Sequence, residues 1–298
     1  MIFKGVRMST VSVCIPTYNR KDYLKETLES VFAQSYGDYE VVVVDDGSSD
    51  GTREMIESME KPIRYLWQPN QGDAQARNRL IEEARGKYIT FLDSDDLLFP
   101  DSVQRLFSAI ERNGKEACSY GPYIRIDKNG KTLDAQREEL PSGNITVALF
   151  QRIWVHSCGS MFPKKALIDI GKFDASFPVC SDYCAWLKLS LRYPFIALQS
   201  PTFKRRRHGG NLSSVTSSKI AAELRVLRNF YEKEGGKNVV PLRIARKRFA
   251  KENHRAGKAA WEEGNRTAAR AYFEASLKES PTLKTFFYWI AMKSTTRD

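Results

Sequence analysis

Four consecutive valines, Val41–Val44, run straight into Asp45-Asp46-Gly47-Ser48-Ser49-Asp50. An unbroken β-branched run inside Tyr39–Val44 suits a strand covered on both faces, and so a sheet lying between layers of helix. Short strands of the same kind are predicted at Val11–Ile15, stopped by Pro16, and at Ile63–Trp67, Tyr88–Leu92 and Ala117–Tyr120. Helical spacing fills the intervals: Lys21–Gln34, Thr52–Met59, Gly72–Arg85 and Asp101–Asn113. Strands alternating with helices imply right-handed crossovers and a mostly parallel sheet. Ligands bind beyond the carboxyl ends of such strands. Three of those ends carry polar or acidic clusters here.

The middle of the chain is less regular. Gly121–Leu133 reads as a hairpin turning at Asn129-Gly130. Helices are expected over Ser142–Ile153, Lys164–Ile170 and Ser181–Leu191. After Pro201 come the basic run Lys204–Arg207, a loop at His208-Gly209-Gly210-Asn211, and helices to the end. With 298 residues, 42% hydrophobic and 28% charged, the chain has material for one substantial core and a smaller appendage.

Its formal charge of +11 is unevenly placed. Residues 203–298 hold 22 Lys/Arg against 9 Asp/Glu, a net of +13, while residues 1–202 hold 25 against 27, a net of −2. A basic tail behind a near-neutral domain suits an anionic surface such as a phospholipid leaflet, or equally a solvated helical face. The five cysteines form no CxxC, and Cys180 and Cys184 lack a His at metal-ligand spacing, so free thiols in a reducing cytoplasm are expected. Met1–Met8 has no signal-peptide pattern and no run nears the ~20 apolar residues that span a bilayer. The expectation is a cytoplasmic protein, at most peripheral at the inner face of the plasma membrane.

Two clusters carry chemistry. Asp45-Asp46 follows the valine strand, with Gly47 making the sharp turn. A carboxylate there accepts hydrogen bonds from ribose hydroxyls or a base N–H. A helix cap from Ser49 or Asp50 would explain the same turn without a ligand. Asp93-Ser94-Asp95-Asp96 places three carboxylates within four residues. They repel one another unless something positive sits among them. A divalent cation with hard oxygen ligands satisfies that need, and a diphosphate completes its shell.

These motifs resemble glycosyltransferase family 2. The resemblance rests on Ile15-Pro16-Thr17-Tyr18-Asn19-Arg20, the valine strand with Asp45-Asp46-Gly47-Ser48, Gly72-x4-Arg77-Asn78, and Gly86-Lys87-Tyr88-Ile89-x2-Leu92-Asp93-Ser94-Asp95-Asp96, in that family's order. It covers about residues 9–215. It implies an α/β fold of GT-A type, a mostly parallel sheet flanked by helices with a Rossmann-like nucleotide-binding half. A nucleoside-diphosphate sugar donor (above all a UDP-sugar), Mn²⁺ or Mg²⁺, and inversion at the anomeric carbon are also implied. By motif position Pro16, Thr17, Tyr18 and Asp46 line the nucleoside pocket, with Asp46 taking base or ribose. Arg20, Asp45, Ser94 and Asp96 are counted with the donor site, and Arg77 braces the aspartates or the diphosphate. Asp93 and Asp95 form the Asp-x-Asp pair, with Asp95 the direct metal ligand.

The family's late acidic helix start is matched by Ser181-Asp182-Tyr183-Cys184-Ala185-Trp186-Leu187, so the resemblance makes Asp182 the catalytic base. Ser181 and Cys184 stand where acids are usual. Arg205-Arg206-Arg207-His208-Gly209-Gly210-Asn211-Leu212-Ser213 resembles the loop closing over the diphosphate. In that reading Arg205 and Arg207 neutralise phosphate charge, and His208 joins the metal shell or bonds a phosphate oxygen. Gly159 and Gly171 relieve backbone crowding, and His156 could face an acceptor sugar.

Ala256–Pro281 resembles one tetratricopeptide-type hairpin, and the aromatic run Phe286–Ile290 follows it. Whether that run packs inward or meets a membrane stays open in the sequence. The domain division expected is a catalytic domain over 1–215, with a donor half at about 9–120 and an acceptor half at about 121–215, then a helical region over 216–298. The resemblance implies a glycan or glycolipid acceptor, in bacterial surface polysaccharide or lipopolysaccharide synthesis, and no nucleic acid. A nucleotidyltransferase is disfavoured because Pro16-Thr17-Tyr18-Asn19-Arg20 has no glycine for a triphosphate loop. A non-catalytic nucleotide-sugar-binding scaffold is the other alternative.

Overall fold

A computed structural model describes residues 9–114, 116–209 and 216–294. They fall into two compact units: residues up to Ile145 together with Trp154–Gly209, and Thr146–Ile153 together with the residues after Gly209.

The first unit opens with β1 (Val11–Thr17), α1 (Lys21–Phe32), β2 (Tyr39–Asp45), α2 (Thr52–Ser58), β3 (Ile63–Trp67), α3 (Asp73–Glu83) and β4 (Tyr88–Phe91). Then come β5 (Leu97–Leu98), α4 (Ser102–Arg112), β6 (Cys118–Tyr120), β7 (Tyr123–Ile126) and β8 (Thr132–Ala135). Beyond α5 (Thr146–Gln151), which belongs to the second unit, it ends with β9 (Ser160–Pro163), α6 (Lys164–Asp169), α7 (Ser181–Ser190), β10 (Phe195–Ala197) and β11 (Phe203–Arg206).

Seven strands form one sheet in the order β10-β6-β9-β4-β1-β2-β3, and β5-β11-β7-β8 form a second. The valine strand lies between β1 and β3, and Val41–Val44 are all buried, as an unbroken apolar run demands. Burying each such side chain contributes about 1.5–3 kcal/mol. β1 pairs β2 from Val11↔Tyr39 to Thr17↔Asp45, and β2 pairs β3 as far as Asp45↔Trp67. Beside β1, the Leu92 amide donates to the Cys14 carbonyl at 3.0 Å. This register brings Thr17, Asp45 and Asp93 to one edge.

The large sheet is mostly parallel, with one exception: β9 is antiparallel to both β4 and β6. Four residues ending in Pro163 are too few to show a period, so sequence reasoning passed over this strand. Gly159, just before it, sits at φ +66, and an added Cβ would strike the Phe203 ring and Thr202. Crowding therefore explains Gly159. Gly171 differs: at φ +83 with open space around it, it serves backbone conformation instead. The hairpin at 121–133 is β7–β8, turning over Asp127–Lys131 with a register shift at Arg125/Ile126.

The second unit holds α5 and α8 (Ser217–Lys233), a 3₁₀ turn (Gly236–Asn238), α9 (Leu242–Glu262), α10 (Arg266–Glu279) and α11 (Leu283–Ser294). Phe150 of α5 packs against Phe230 and Phe249, with ring centroids 6.1 and 5.9 Å away. The α9–α10 hairpin closes on small residues. Ala256, Ala260 and Ala269 are fully buried, and Gly257 lets the Phe273 ring within 2.7 Å of where a Cβ would stand. No helix among the described residues is long and apolar enough to cross a membrane.

Candidate functional site

The turn after β2 is held from within. Asp45, 1% exposed, accepts hydrogen bonds from the Ser48 amide at 2.8 Å and the Tyr65 hydroxyl at 2.7 Å. Both oxygens are thus engaged by the fold, and the donor site expected of Asp45 would gain a rigid turn rather than a free carboxylate. Asp46, 4% exposed, accepts from Gln68 Nε2 at 2.7 Å and from the Gln71 and Gly72 amides at 2.9 and 2.8 Å. A carboxylate has about four lone-pair positions. With three filled, one remains for a ribose hydroxyl or base.

The N-cap of α2 is Gly51, not Ser49 or Asp50; Asp50 instead ties the turn to α1, accepting from Thr52 Oγ1 at 2.6 Å and from the Lys21 amide at 2.9 Å. The β1 turn is stitched to the same loop: the Asn19 amide donates to Ser48 Oγ at 2.8 Å, with Asn19 at φ +48. Thr17 Oγ1 is buried without a hydrogen-bond partner, while Tyr18 is 50% exposed. A buried hydroxyl rarely goes unsatisfied, so Thr17 marks this edge as a place for a polar ligand.

At the end of β4 each of the three aspartates meets a different partner: Arg77, His208 and the Arg206 amide. Arg77, 6% exposed, donates from Nη2 to Asp93 at 2.7 Å and from Nη1 to Asp73, with its guanidinium 5.8 Å from the Phe173 ring. His208 Nε2 lies 2.8 Å from Asp95 Oδ2. Its ring stacks on Tyr23 at 4.8 Å, and Arg20 Nη1 approaches to 3.4 Å. The Arg206 amide donates to Asp96 Oδ1 at 2.8 Å. Arg206 itself is 1% exposed and donates to the Asp95 carbonyl (3.0 Å), the Lys128 carbonyl (2.9 Å) and Glu26 (2.6 Å).

Despite that amide, burial, then the charges of Asp93 and Asp95, push the Asp96 carboxyl well above the usual range. Ser94, between the acids, is buried at 8% exposure. Ligand atoms of Asp93, Asp96 and Cys158 lie within 4.8 Å of one another. Cys158 is a poor cation ligand here, because burial and the same two carboxylates push its thiol up and keep it protonated. The group thus reduces to the carboxylates of Asp93 and Asp96, while Asp95 and His208, 2.8 Å from each other, stand outside it; the set of ligands expected from the sequence is nonetheless hard and oxygen-rich. It fits Mn²⁺ or Mg²⁺, and the repulsion felt by Asp96 is what such a cation relieves.

The basic run divides by strand geometry. Arg206 turns to the acidic loop, whereas Arg205 sits 5.8 Å over the Tyr123 ring and pairs in register with Arg125. Arg207 is held below its ordinary value by burial, then by Arg205 and Arg125. The resemblance pointed to Arg205 and Arg207; the structure adds Arg206 as the arginine bonded to the acidic loop. The period-two alternation of a strand would have sorted them, had Lys204–Arg207 been read as a strand and not only as a basic run.

Beside this face lies His156, with its ring 5.2 Å from Tyr123. Burial, then Arg205, pushes it down to about 3 against an opposing Asp93. A histidine kept neutral in the fold but free to protonate when unfolded stabilises the protein above about pH 6.5. That contribution is lost as pH falls from there toward 3. His156→Gln should therefore flatten the decline of melting temperature between those limits, and an unchanged slope would contradict this.

Asp182 stands in the first turn of α7, half-buried, and its Oδ1 accepts from the Tyr183 amide at 2.7 Å. Ser181 and Cys184 are 3% and 2% exposed. Of the three positions where acids are usual, Asp182 alone reaches solvent. One turn on, Trp186 is fully buried, stacked on Phe162 at 4.1 Å and edge-on to Phe173 at 5.7 Å. Phe173 also lies under Arg77, and its backbone bonds both ends of the Asn78 amide at 2.8 and 2.9 Å. One aromatic block thus seats both the aspartate brace and the helix carrying Asp182. Residues 210–213 of the expected closing loop lie outside the described residues.

Known proteins resemble this chain in sequence and in fold. The family described as Glycosyl transferase family 2 matches residues 12–173, more than half of the chain. Chondroitin synthase of Escherichia coli is 31% identical over 217 residues, covering 70% of this chain and 30% of that protein. The structure of S. aureus TarS in complex with UDP-GlcNAc superposes with a TM-score of 0.63 at 18% identity, covering 90% of this chain and 81% of that one. The mannosyltransferase PcManGT from Pyrobaculum calidifontis, in complex with GDP-Man and Mn²⁺, gives 0.56 at 18% identity, covering 97% and 81%. The chain spans between 29% and 58% of the curated relatives it matches first. With its motifs in order, its sheet of GT-A type and the family match across β1 to Phe173, the chain belongs to glycosyl transferase family 2.

Proposed function

We propose that this chain is an inverting glycosyltransferase that moves a sugar from a nucleoside diphosphate, with UDP-sugars the first choice, to an acceptor hydroxyl. The carrying observation is the acidic loop after β4, where Asp93, Asp95 and Asp96 are crowded together and met by Arg77, His208 and Arg206. Such a loop would hold a divalent cation, whose charge would offset that of a diphosphate. Mn²⁺ or Mg²⁺, when bound, supplies Lewis-acid stabilisation of the departing diphosphate.

The chain's own residues do the rest. Asp93, Asp95, Asp96 and His208 hold the metal, and Arg77 fixes Asp93. Thr17, Tyr18 and Asp46 orient the nucleoside. Asp182, with Oδ2 left for the substrate, accepts the proton of the acceptor hydroxyl as its oxygen bonds the anomeric carbon. In that same step the bond from that carbon to the diphosphate oxygen breaks, and the diphosphate takes the electron pair. Direct displacement in one step inverts the centre. The acceptor we infer is a glycan or glycolipid of bacterial surface polysaccharide or lipopolysaccharide synthesis, with the protein working in the cytoplasm.

Release of nucleoside diphosphate from a panel of nucleotide sugars, with Mn²⁺ and with EDTA, tests the reading. Mn²⁺-stimulated release from at least one sugar is expected. Binding of a nucleotide sugar without release under any condition would leave a non-catalytic scaffold instead.

A further inference from the structure

On α11, Leu283, Phe286, Phe287 and Ile290 stand at i, i+3, i+4 and i+7, the spacing that gathers side chains on one helical face. They are 78%, 43%, 66% and 42% exposed. The opposite face is fixed. Thr285 is 2% exposed and its hydroxyl lies 3.0 Å from His254 Nδ1. Tyr288 and Trp289 pack on Ala260, Ala269 and Phe273, and Trp289 Nε1 donates to Glu274 at 3.2 Å. The anchored face leaves the apolar stripe pointing outward. Apolar residues exposed singly are ordinary; four in register on one helix mark an interaction surface.

The charge around the stripe says which kind. Leu283–Ser294 contains no Asp or Glu. Lys284 stands on α11 itself, and Lys258 stands on α9 one turn beyond His254, whose Nδ1 lies 3.0 Å from the Thr285 hydroxyl of α11. Glu274, the acid beneath it, is tied to Arg270 at 3.1 Å and to Trp289. A second copy docking through this stripe would bring the lysines of both copies together. Four side chains on a helix about 18 Å long also fall far short of the ~800 Å² per partner of a stable protein interface.

We propose that the outer face of α11 docks this protein on an anionic lipid surface, with Leu283, Phe286, Phe287 and Ile290 in the interfacial layer and Lys258 and Lys284 against the headgroups. An apolar stripe flanked by lysines on a helix too short to span is the pattern of an interfacial helix. Each lysine brought close to an anionic leaflet strengthens binding about fivefold.

Co-sedimentation of the full chain with vesicles tests this, comparing phosphatidylcholine alone with equal parts phosphatidylcholine and phosphatidylglycerol. At least about tenfold stronger binding to the mixed vesicles is expected, weakening with salt. F286S/F287S should lose about tenfold or more while its circular dichroism and melting temperature stay unchanged, because both side chains are exposed. K258E/K284E should lower the preference for anionic vesicles by at least as much. Three results would each overturn the proposal: no preference of the wild type for anionic vesicles, wild-type binding by F286S/F287S, or a wild-type dimer in sedimentation velocity that F286S/F287S dissociates.

Discussion

Asp182→Asn is expected to leave donor affinity within about twofold while lowering turnover by roughly two or more orders of magnitude, the scale of general-base loss. The expectation follows from the geometry at the start of α7. The side chain is half-buried and exposes a carboxylate where Ser181 and Cys184, both buried, offer none. Asn keeps the oxygen that accepts from the Tyr183 amide, so the helix start survives; what is lost is the ability to take a proton. Calorimetry with the donor and a sugar-transfer assay at saturating donor separate the two effects. Near-native transfer by a folded Asp182→Asn protein would reduce Asp182 to a helix-terminal aspartate. The base would then have to be another carboxylate.

Asp95→Ala should abolish the part of donor affinity that depends on Mn²⁺, and with it the Mn²⁺-induced rise in melting temperature. The fold should withstand this change. Arg206 Nε donates to the backbone carbonyl of residue 95, which alanine retains, and Asp96 loses one of the two charges that raise its pKa. In EDTA the loss of the His208 contact at 2.8 Å and the relief of Asp96 act in opposite senses, so the variant should stay folded and melt close to the wild type. The two readouts point in opposite directions for a metal ligand and for a structural acid. A variant that keeps its Mn²⁺ shift, or that unfolds in EDTA, would remove Asp95 from the metal set.

Much of the donor half could be read directly. The valine strand announced its cover on both faces, because four consecutive valines leave no face suited to solvent, and Val41–Val44 are all buried. The acidic loop announced a site of crowded carboxylates, because like charges at that spacing need partners, and Arg77, His208 and the Arg206 amide meet them. What escaped lacked length or period. β9 has four residues and β5 two, below the length at which alternation can be seen. Arg206 was hidden between two identical neighbours, and only the strand assignment distinguishes them. The partners of Asp46 were invisible for a different reason: two of the three are backbone amides, and a backbone amide has no letter in a sequence. In the helical unit the hairpin pattern was legible, but the grouping of Thr146–Ile153 with the C-terminal helices was not. That depends on Phe150 meeting rings 80 to 99 residues further on.

Arg206 joins positions 26, 95, 96 and 128, the last of them 78 residues before it and the first 180. During synthesis the aspartates emerge first and wait for it. At about 5–20 residues per second, the 110 residues between Asp96 and Arg206 take on the order of ten seconds to appear. Throughout that interval the nascent chain carries its acidic loop without the arginine that ties it down. The donor site is therefore closed last, by the strand that ends at residue 206, rather than assembled as the nucleotide-binding half leaves the ribosome. A fragment ending at Phe173 would include the whole stretch matched by the family and still lack both Arg206 and His208. Complementing such a fragment with the missing segment amounts to supplying a clasp, and nucleotide binding should return only when the clasp does.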